Sequence, residues 1–295
     1  MLPALFALAR RVWADRADVR ARFVDVEGLD YWIWFMSEAS ADYPELDELV
    51  PLPPATLVDR VVGYDATGVF FRSSGLSDAC YMFERFEEGG LEMAGADTIL
   101  DFGCGCGRLI RYFARFADTC RLVGVDPDRL AIEWCRAHLD FATFEVTAAK
   151  PPTLFADGLF DGVYALSVFS HLPEALHRAW LEELHRITRP GGTVVLTTQG
   201  RYCADEFLAS TAPSDMPTAE QLRGDLPELE DRGYLYYSYD FEIESLPAIA
   251  AREELYGMTF ILPEYVRTHW TDLFELVALH EAPKEWQDFV VLRRR

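Results

Sequence analysis

A short apolar strand ending in three alternating glycines, TILDFGCGCGR over residues 98–108, restricts this chain more than any other segment. Glycine adopts positive φ freely and carries no Cβ, so such a strand turns tightly and lets its backbone approach a ligand closely. Leu109, Ile110, Phe113 and Phe116 follow at helical spacing, and Leu122, Val123 and Val125 form a second strand that ends at Asp126-Pro127-Asp128. Asp126 stands 19 positions beyond Gly107, room for one helix and a return strand. An acid at that strand tip can accept hydrogen bonds from both hydroxyls of a ribose.

A dinucleotide site shares this outline, but its fingerprint is G-x-G-x-x-G. Here Gly103, Gly105 and Gly107 are spaced G-x-G-x-G, and Arg108 takes the place of the sixth residue. Asp101 sits two residues before the first glycine, where a carboxylate crowds a pyrophosphate but suits an ammonium group. Further strands are read at residues 144–146, 160–166 and 193–197. A helix carrying Leu176, Trp180, Leu181, Leu184 and Ile187 starts near Pro173, and Arg189-Pro190-Gly191-Gly192 reads as a turn. Strands separated by helices imply a parallel sheet with right-handed crossovers.

With these segments the chain resembles the class I S-adenosylmethionine-dependent methyltransferases. The matching segments are the glycine loop, VGVDPD, LFADGLFDGVYALSVFSHLPE, WLEELHRITRPGGTVVLTT and the final QDFVVLRR. The resemblance implies a Rossmann-like α/β fold: a seven-stranded, mostly parallel sheet with an antiparallel last strand. It also implies S-adenosylmethionine as cofactor and S-adenosylhomocysteine as product. The methionine end falls to Asp101, Gly103, Cys104, Gly105, Gly107 and Arg108, the ribose to Asp126 with Pro127, and flanking contacts to Ala149 and Leu166. Many family members have Asp or Asn after the third strand, where it receives the adenine amino group. This chain has Thr147-Ala148-Ala149, which leaves adenine to backbone groups and packing. The N-terminal PLPP and VVG elements are loosely similar to bacterial methyltransferases that decorate natural products or glycans.

The flanks divide the chain into an N-terminal helical, aromatic cap (residues 1–90), a cofactor-binding core (91–200), a substrate-side insertion (201–256) and C-terminal strands that complete the core sheet (257–295). Leu5, Leu8, Val12 and Trp13 place the first helix as a cap or as the arm of a homodimer. His171, in SVFSHLPE, stands where the transferred methyl should emerge. It is read either as a general base, since histidine titrates near neutrality, or as a residue that orients its loop. Gln199 and Arg201, just past the fifth strand, and Tyr234, Tyr236 and Tyr265 are candidate substrate contacts. Tyr234, Tyr236, Tyr237 and Tyr239 alternate as a half-exposed strand does.

Lys and Arg number 27 against 49 Asp and Glu, a net charge of −22. Cationic side chains drive binding to phosphate backbones and anionic membranes, so this balance opposes nucleic-acid and membrane partners and favours a small molecule. The six cysteines lack paired zinc-site spacing, so no metal is expected and the chain reads as reduced and cytoplasmic. The function expected is methyl transfer to O or N of a small molecule. The alternatives are a non-catalytic S-adenosylmethionine-binding subunit or, less favoured, an NAD-dependent oxidoreductase.

Overall fold

A computed structural model describes residues 2–63, 68–209, 217–238 and 255–295. Helices fill the N-terminal third: α1 (Leu2–Asp15), α2 (Ala17–Arg22), α3 (Leu29–Glu38), α4 (Glu45–Leu49), α5 (Ala55–Val62) and α6 (Val69–Glu88). The alternating part follows as β1 (Thr98–Phe102), α7 (Ile110–Phe113), β2 (Arg121–Asp126), α8 (Arg129–His138), β3 (Thr143–Val146), β4 (Phe160–Ala165), α9 (Glu174–Ile187) and β5 (Thr188–Thr198). Next come α10 (Arg201–Ala209), α11 (Ala219–Arg232), β6 (Tyr234–Ser238), β7 (Gly257–Ile261), α12 (Pro263–His269), β8 (Phe274–His280) and β9 (Asp288–Arg294).

Seven strands form one sheet in the order β3-β2-β1-β4-β5-β9-β8. β1 through β5 run parallel, and β9 is antiparallel to both β5 and β8. This is the Rossmann-like sheet that the sequence resemblance implies. β1 and β4 are buried along their whole length, as parallel strands covered on both faces must be. The strand order reverses direction at β1 and β4, and the carboxyl ends of strands at such a switch point bound a ligand crevice.

Local chemistry accounts for several of these boundaries. Asp128 caps α8, its side chain accepting from the backbone N–H of Leu130 and Ala131. Thr218 and Gln221 form a capping box that opens α11, and Gly233 in the left-handed region ends it. Pro263 occupies the first turn of α12, where its missing N–H costs nothing.

Three elements differ from the sequence reading. Arg189–Gly192 lies inside β5 as a bulge exposed at Arg189, Pro190 and Gly191: pairing passes from Thr188 opposite Phe160 to Thr193 opposite Gly162. The strand therefore resumes on both sides of the turn chemistry. β7 does not complete the core sheet; it pairs antiparallel with β6 in a two-stranded ribbon, from Tyr234 opposite Ile261 to Ser238 opposite Gly257. Only β8 and β9 finish the main sheet. The N-terminal aromatics also share a core with the sheet instead of closing one of their own. Tyr31, Trp32 and Phe35 join Phe86, Phe113 and Tyr164 in one apolar cluster, and the Trp32 indole N–H donates to the Tyr112 carbonyl over 3.0 Å. Leu5, Leu8 and Val12 of α1 are buried in that cluster, so the apolar face of this helix is covered within the chain. Each such fully buried aromatic contributes roughly 2–3 kcal/mol of transfer free energy. The expectation for Tyr239 lies outside the described residues.

Candidate functional site

The carboxyl ends of β1, β2 and β4 border one cleft. Asp101, Gly103, Cys104, Gly105, Arg108, Asp126, Pro127, Ala149, Leu166 and His171 all line it, so the sequence-derived cofactor residues converge there apart from Gly107. Gly107 has φ +79° and faces Leu139 and Cys135; it closes the turn behind the cleft. Gly103, at φ +82°, sits where a Cβ would collide with Val168. The loop must therefore be glycine at the point where its backbone faces the cleft.

The loop and the ribose-side acid hold each other. The Gly105 N–H donates to Asp126 Oδ2 over 2.8 Å, and the Asp128 N–H donates to Asp126 Oδ1 over 2.7 Å. Burial raises the Asp126 carboxyl to about 6, against the lowering effect of those two N–H donors. Asp101 is buried at the end of β1; its Oδ2 makes no hydrogen bond of ordinary geometry, and the neighbouring Tyr164 hydroxyl only partly offsets the cost of burial. Desolvation first, and the neighbouring Asp126 charge second, raise its carboxyl to about 7. A buried carboxylate oxygen without a donor is costly, and an incoming ammonium group removes that cost. Arg108, eight per cent exposed, donates to Asp78 Oδ2 over 2.6 Å and to Ser74 Oγ over 3.1 Å. It lies at the cleft wall while anchoring α6.

The residues that follow β3 and β4 complete the cleft. Thr147, Ala148 and Ala149 line it without an acidic or amide side chain, which fits a flat base held by packing and backbone groups. Ser167, at φ +56°, donates its N–H to Thr197 Oγ1 over 2.8 Å and its hydroxyl to Gln287 Oε1 over 3.1 Å. Those two bonds hold a strained turn at the tip of β4, a conformation that surrounding structure must over-determine. His171 occupies the next turn. Its Nδ1 lies 2.9 Å from the Gly257 carbonyl oxygen, which can only accept, so Nδ1 carries the proton and Nε2 is the basic nitrogen. Its ring stacks on Tyr256 at 4.7 Å and 23°. Burial lowers its pKa below the ordinary histidine value, so the ring is neutral at pH 7.

The five expected substrate contacts lie elsewhere. Gln199 is buried at the end of β5, its backbone bridged to Phe260. Arg201 points outward and pairs with Asp205 at 2.9 Å and Glu230 at 3.1 Å. Tyr234 is buried with its hydroxyl donating to the Leu172 carbonyl, and Tyr265 donates to Glu174. Tyr234 and Tyr236 line a separate shallow recess with Glu174, Asp225 and Arg232. The tyrosines do alternate, but both faces of the β6–β7 ribbon are packed. Tyr234 and Tyr236 enter one apolar cluster, Leu235 and Tyr237 another.

Sequence reading missed Leu57, Arg60 and Val61 of α5, and Leu255 and Tyr256 before β7, all of which line the cleft. Nothing in the local pattern of ATLVDRVV marks it as a cleft wall. Asp128, the cap of α8, also pairs with Arg60 at 2.6 Å.

Comparison with known proteins agrees with this geometry. Residues 99–192 match the methyltransferase-domain family. A sterol 24-C-methyltransferase of Kluyveromyces lactis is 28% identical over 129 residues, 42% of this chain and 34% of that protein. An uncharacterized methyltransferase of Mycobacterium avium is 34% identical over 134 residues, 43% of this chain and 49% of that protein. The chain thus spans between a third and a half of the length of these relatives. A crystal structure from Pyrococcus horikoshii OT3 superposes with a TM-score of 0.52 at 16% identity, covering 81% of this chain and 98% of the other; that likeness concerns the fold. Residues 99–192 are thus similar to a methyltransferase domain, and they carry the cleft at the carboxyl ends of a Rossmann-like sheet.

Proposed function

We propose that this chain transfers a methyl group from S-adenosylmethionine to an oxygen or nitrogen of a small molecule. The observation that carries the reading is the neutral His171 in the same cleft as Asp101 and Asp126, its proton committed to the Gly257 carbonyl. The cofactor supplies a methyl group already activated by the sulfonium. The protein then has two tasks, alignment and, where the acceptor starts protonated, removal of its proton. Asp101 offers a carboxylate to the amino-acid ammonium, and Asp126 offers oxygens to the vicinal hydroxyls. Holding both ends of the donor confines the reacting carbon, and such alignment lowers a displacement barrier by several kcal/mol. His171 Nε2 accepts a hydroxyl proton as the new bond forms, or an ammonium proton before the nitrogen attacks, and the carbon–sulfur bond breaks to release S-adenosylhomocysteine.

Leu172, Trp180, Leu255 and Tyr256 line the cleft near His171, an apolar and aromatic surface suited to a compact organic substrate. The net charge of −22 opposes a polyanionic one. All six cysteines are free thiols, in keeping with a reducing cytoplasm. Among the described residues no helix is long and apolar enough to cross a membrane.

The test is a screen of phenols, hydroxylated heterocycles and amines with methyl-labelled cofactor, run on the wild type and on His171→Ala. Labelled O- or N-methyl product that falls at least a hundredfold in His171→Ala supports the reading. Tight S-adenosylhomocysteine binding with no product from any acceptor favours the non-catalytic subunit. Product unaffected by His171→Ala removes the general base.

A further inference from the structure

We propose that Arg60, on a helix outside the sheet, is a positioning residue for the nucleoside half of the cofactor cleft: by holding Asp128 it shields the adjacent Asp126 from a second negative charge and fixes the turn that aims Asp126 at vicinal hydroxyls. The inference deepens the cofactor assignment above and rests on it.

Three contacts connect the residues in series. Arg60 Nη1 donates to Asp128 Oδ2 over 2.6 Å; the Asp128 N–H donates to Asp126 Oδ1 over 2.7 Å; and the Gly105 N–H donates to Asp126 Oδ2 over 2.8 Å. The side chains of the Arg60–Asp128 pair are 13% and 12% exposed, and both residues line the cleft. A pair so placed interacts with little screening by solvent. α5 is also docked independently of that pair. Leu57 and Val58 pack with Phe71, Cys106 and Ala131, and the buried Arg111 donates to the carbonyls of Gly107 and Pro51, tying the glycine loop to the chain just before α5. Loss of the Arg60 charge therefore leaves the helix held by apolar packing and by Arg111.

The charges around Asp126 define what Arg60 does. Asp128 faces it from the start of α8, Asp101 from β1, Cys104 and Cys106 from the glycine loop and Cys135 from α8, while Arg108, which acts on Asp101, is paired with Asp78. Asp128 acts on Asp126 as a like charge, and Arg60 is the cation bound to it. Without Arg60, the unpaired Asp128 carboxylate opposes ionisation of Asp126, which must be ionised to accept hydrogen bonds from two hydroxyls well. Affinity for the nucleoside then falls, and its dependence on pH moves upward.

The experiment is calorimetric titration of the full chain with S-adenosylhomocysteine between pH 5 and 8. Four proteins are compared: wild type, Arg60→Met, Arg60→Lys and Arg60→Met/Asp128→Asn. Asparagine keeps a side-chain oxygen to cap α8. We expect Arg60→Met to bind about tenfold more weakly at pH 5 and about twofold more weakly at pH 7, with the affinity midpoint about one pH unit higher. Arg60→Lys should restore most of the affinity, and the double variant should return the midpoint to the wild-type value or below. Weakened binding with an unmoved midpoint would show that α5 serves only as a packed wall, and unchanged binding would make Arg60 peripheral; either outcome overturns the proposal. Absence of binding by the wild type would instead overturn the cofactor assignment itself.

Discussion

The backbone N–H of Gly105 donates to the carboxylate of Asp126 over 2.8 Å, so the loop after β1 and the tip of β2 form a single unit. A glycine of the cleft-lining turn is thus oriented by the acid at the tip of the next strand. Their separation in sequence is one helix and one strand, the span of a βαβ half-unit. Substitutions at either partner should therefore be read first as changes in cofactor affinity.

Asp101→Asn should abolish measurable S-adenosylhomocysteine binding yet stabilise the ligand-free protein at alkaline pH. The folded-state carboxyl is raised to about 7, above its unfolded value. Folding stability is therefore lost as pH rises from about 4 to about 7, and the whole penalty is present above that range. Thermal unfolding at pH 8 should show the variant melting about 2–6 °C higher than wild type, with the difference gone at pH 4.

The same shift predicts proton release on binding. An ammonium group beside Asp101 favours the ionised carboxylate, and hydroxyl donors favour ionised Asp126, itself raised to about 6. Titrations with S-adenosylhomocysteine at pH 6.5, in buffers of different ionisation enthalpy, should show release of about one proton, falling towards zero at pH 8.5.

His171→Ala should lower kcat by about two to four orders of magnitude on an acceptor that starts protonated, while S-adenosylhomocysteine affinity stays within about threefold. Because burial lowers the His171 pKa, the basic form persists below pH 6.5. With S-adenosylmethionine saturating, so that Asp101 and Asp126 are already ionised, the acid limb of kcat/KM for the acceptor should have its midpoint below about 6.5 in the wild type and be missing in the variant. Steady-state kinetics from pH 5 to 8 decide this.

Gly103→Ala should cost about 1–3 kcal/mol and most of the cofactor affinity. Its φ of +82° disfavours any side chain, and the added methyl meets Val168 on the facing loop. A lowered urea midpoint together with weakened binding would show both effects; unchanged values would mean the loop can relax.

Trp32→Phe should destabilise the fold by about 1–3 kcal/mol, since the buried Tyr112 carbonyl loses its indole donor. A fall in thermal stability of the whole cooperative transition would show the N-terminal helices folding with the sheet. A separate early transition would show the two parts unfolding independently.

Much of the central architecture was readable from periodicity and turn chemistry. β1 to β4 begin and end within a residue or two of the apolar runs that mark them, and Asp128 caps the helix it precedes. Asp101, Asp126 and the glycines carry their roles in residue type and spacing, because a tight turn and an acid at a strand tip are local requirements. The Arg189–Gly192 segment misled because turn residues also suit a bulge, and only pairing with β4 on both sides reveals one.

The substrate side behaved differently. Tyr234 and Tyr236 alternate as a strand should, but period-two spacing cannot say which partner covers each face, and here β7 and two apolar clusters do. Tyr256 reaches His171 from 85 residues away, and Arg60 reaches Asp128 from 68. The sequence by itself determined the order of the βα units, the glycine loop and the two acids, since each depends on interactions within one turn or one strand. Tertiary structure alone decided that α5 walls the cleft, that Tyr256 stacks on His171, and that β6 pairs with β7 outside the main sheet. Those outcomes depend on which distant surfaces bury each other, and no window of neighbouring residues contains that information.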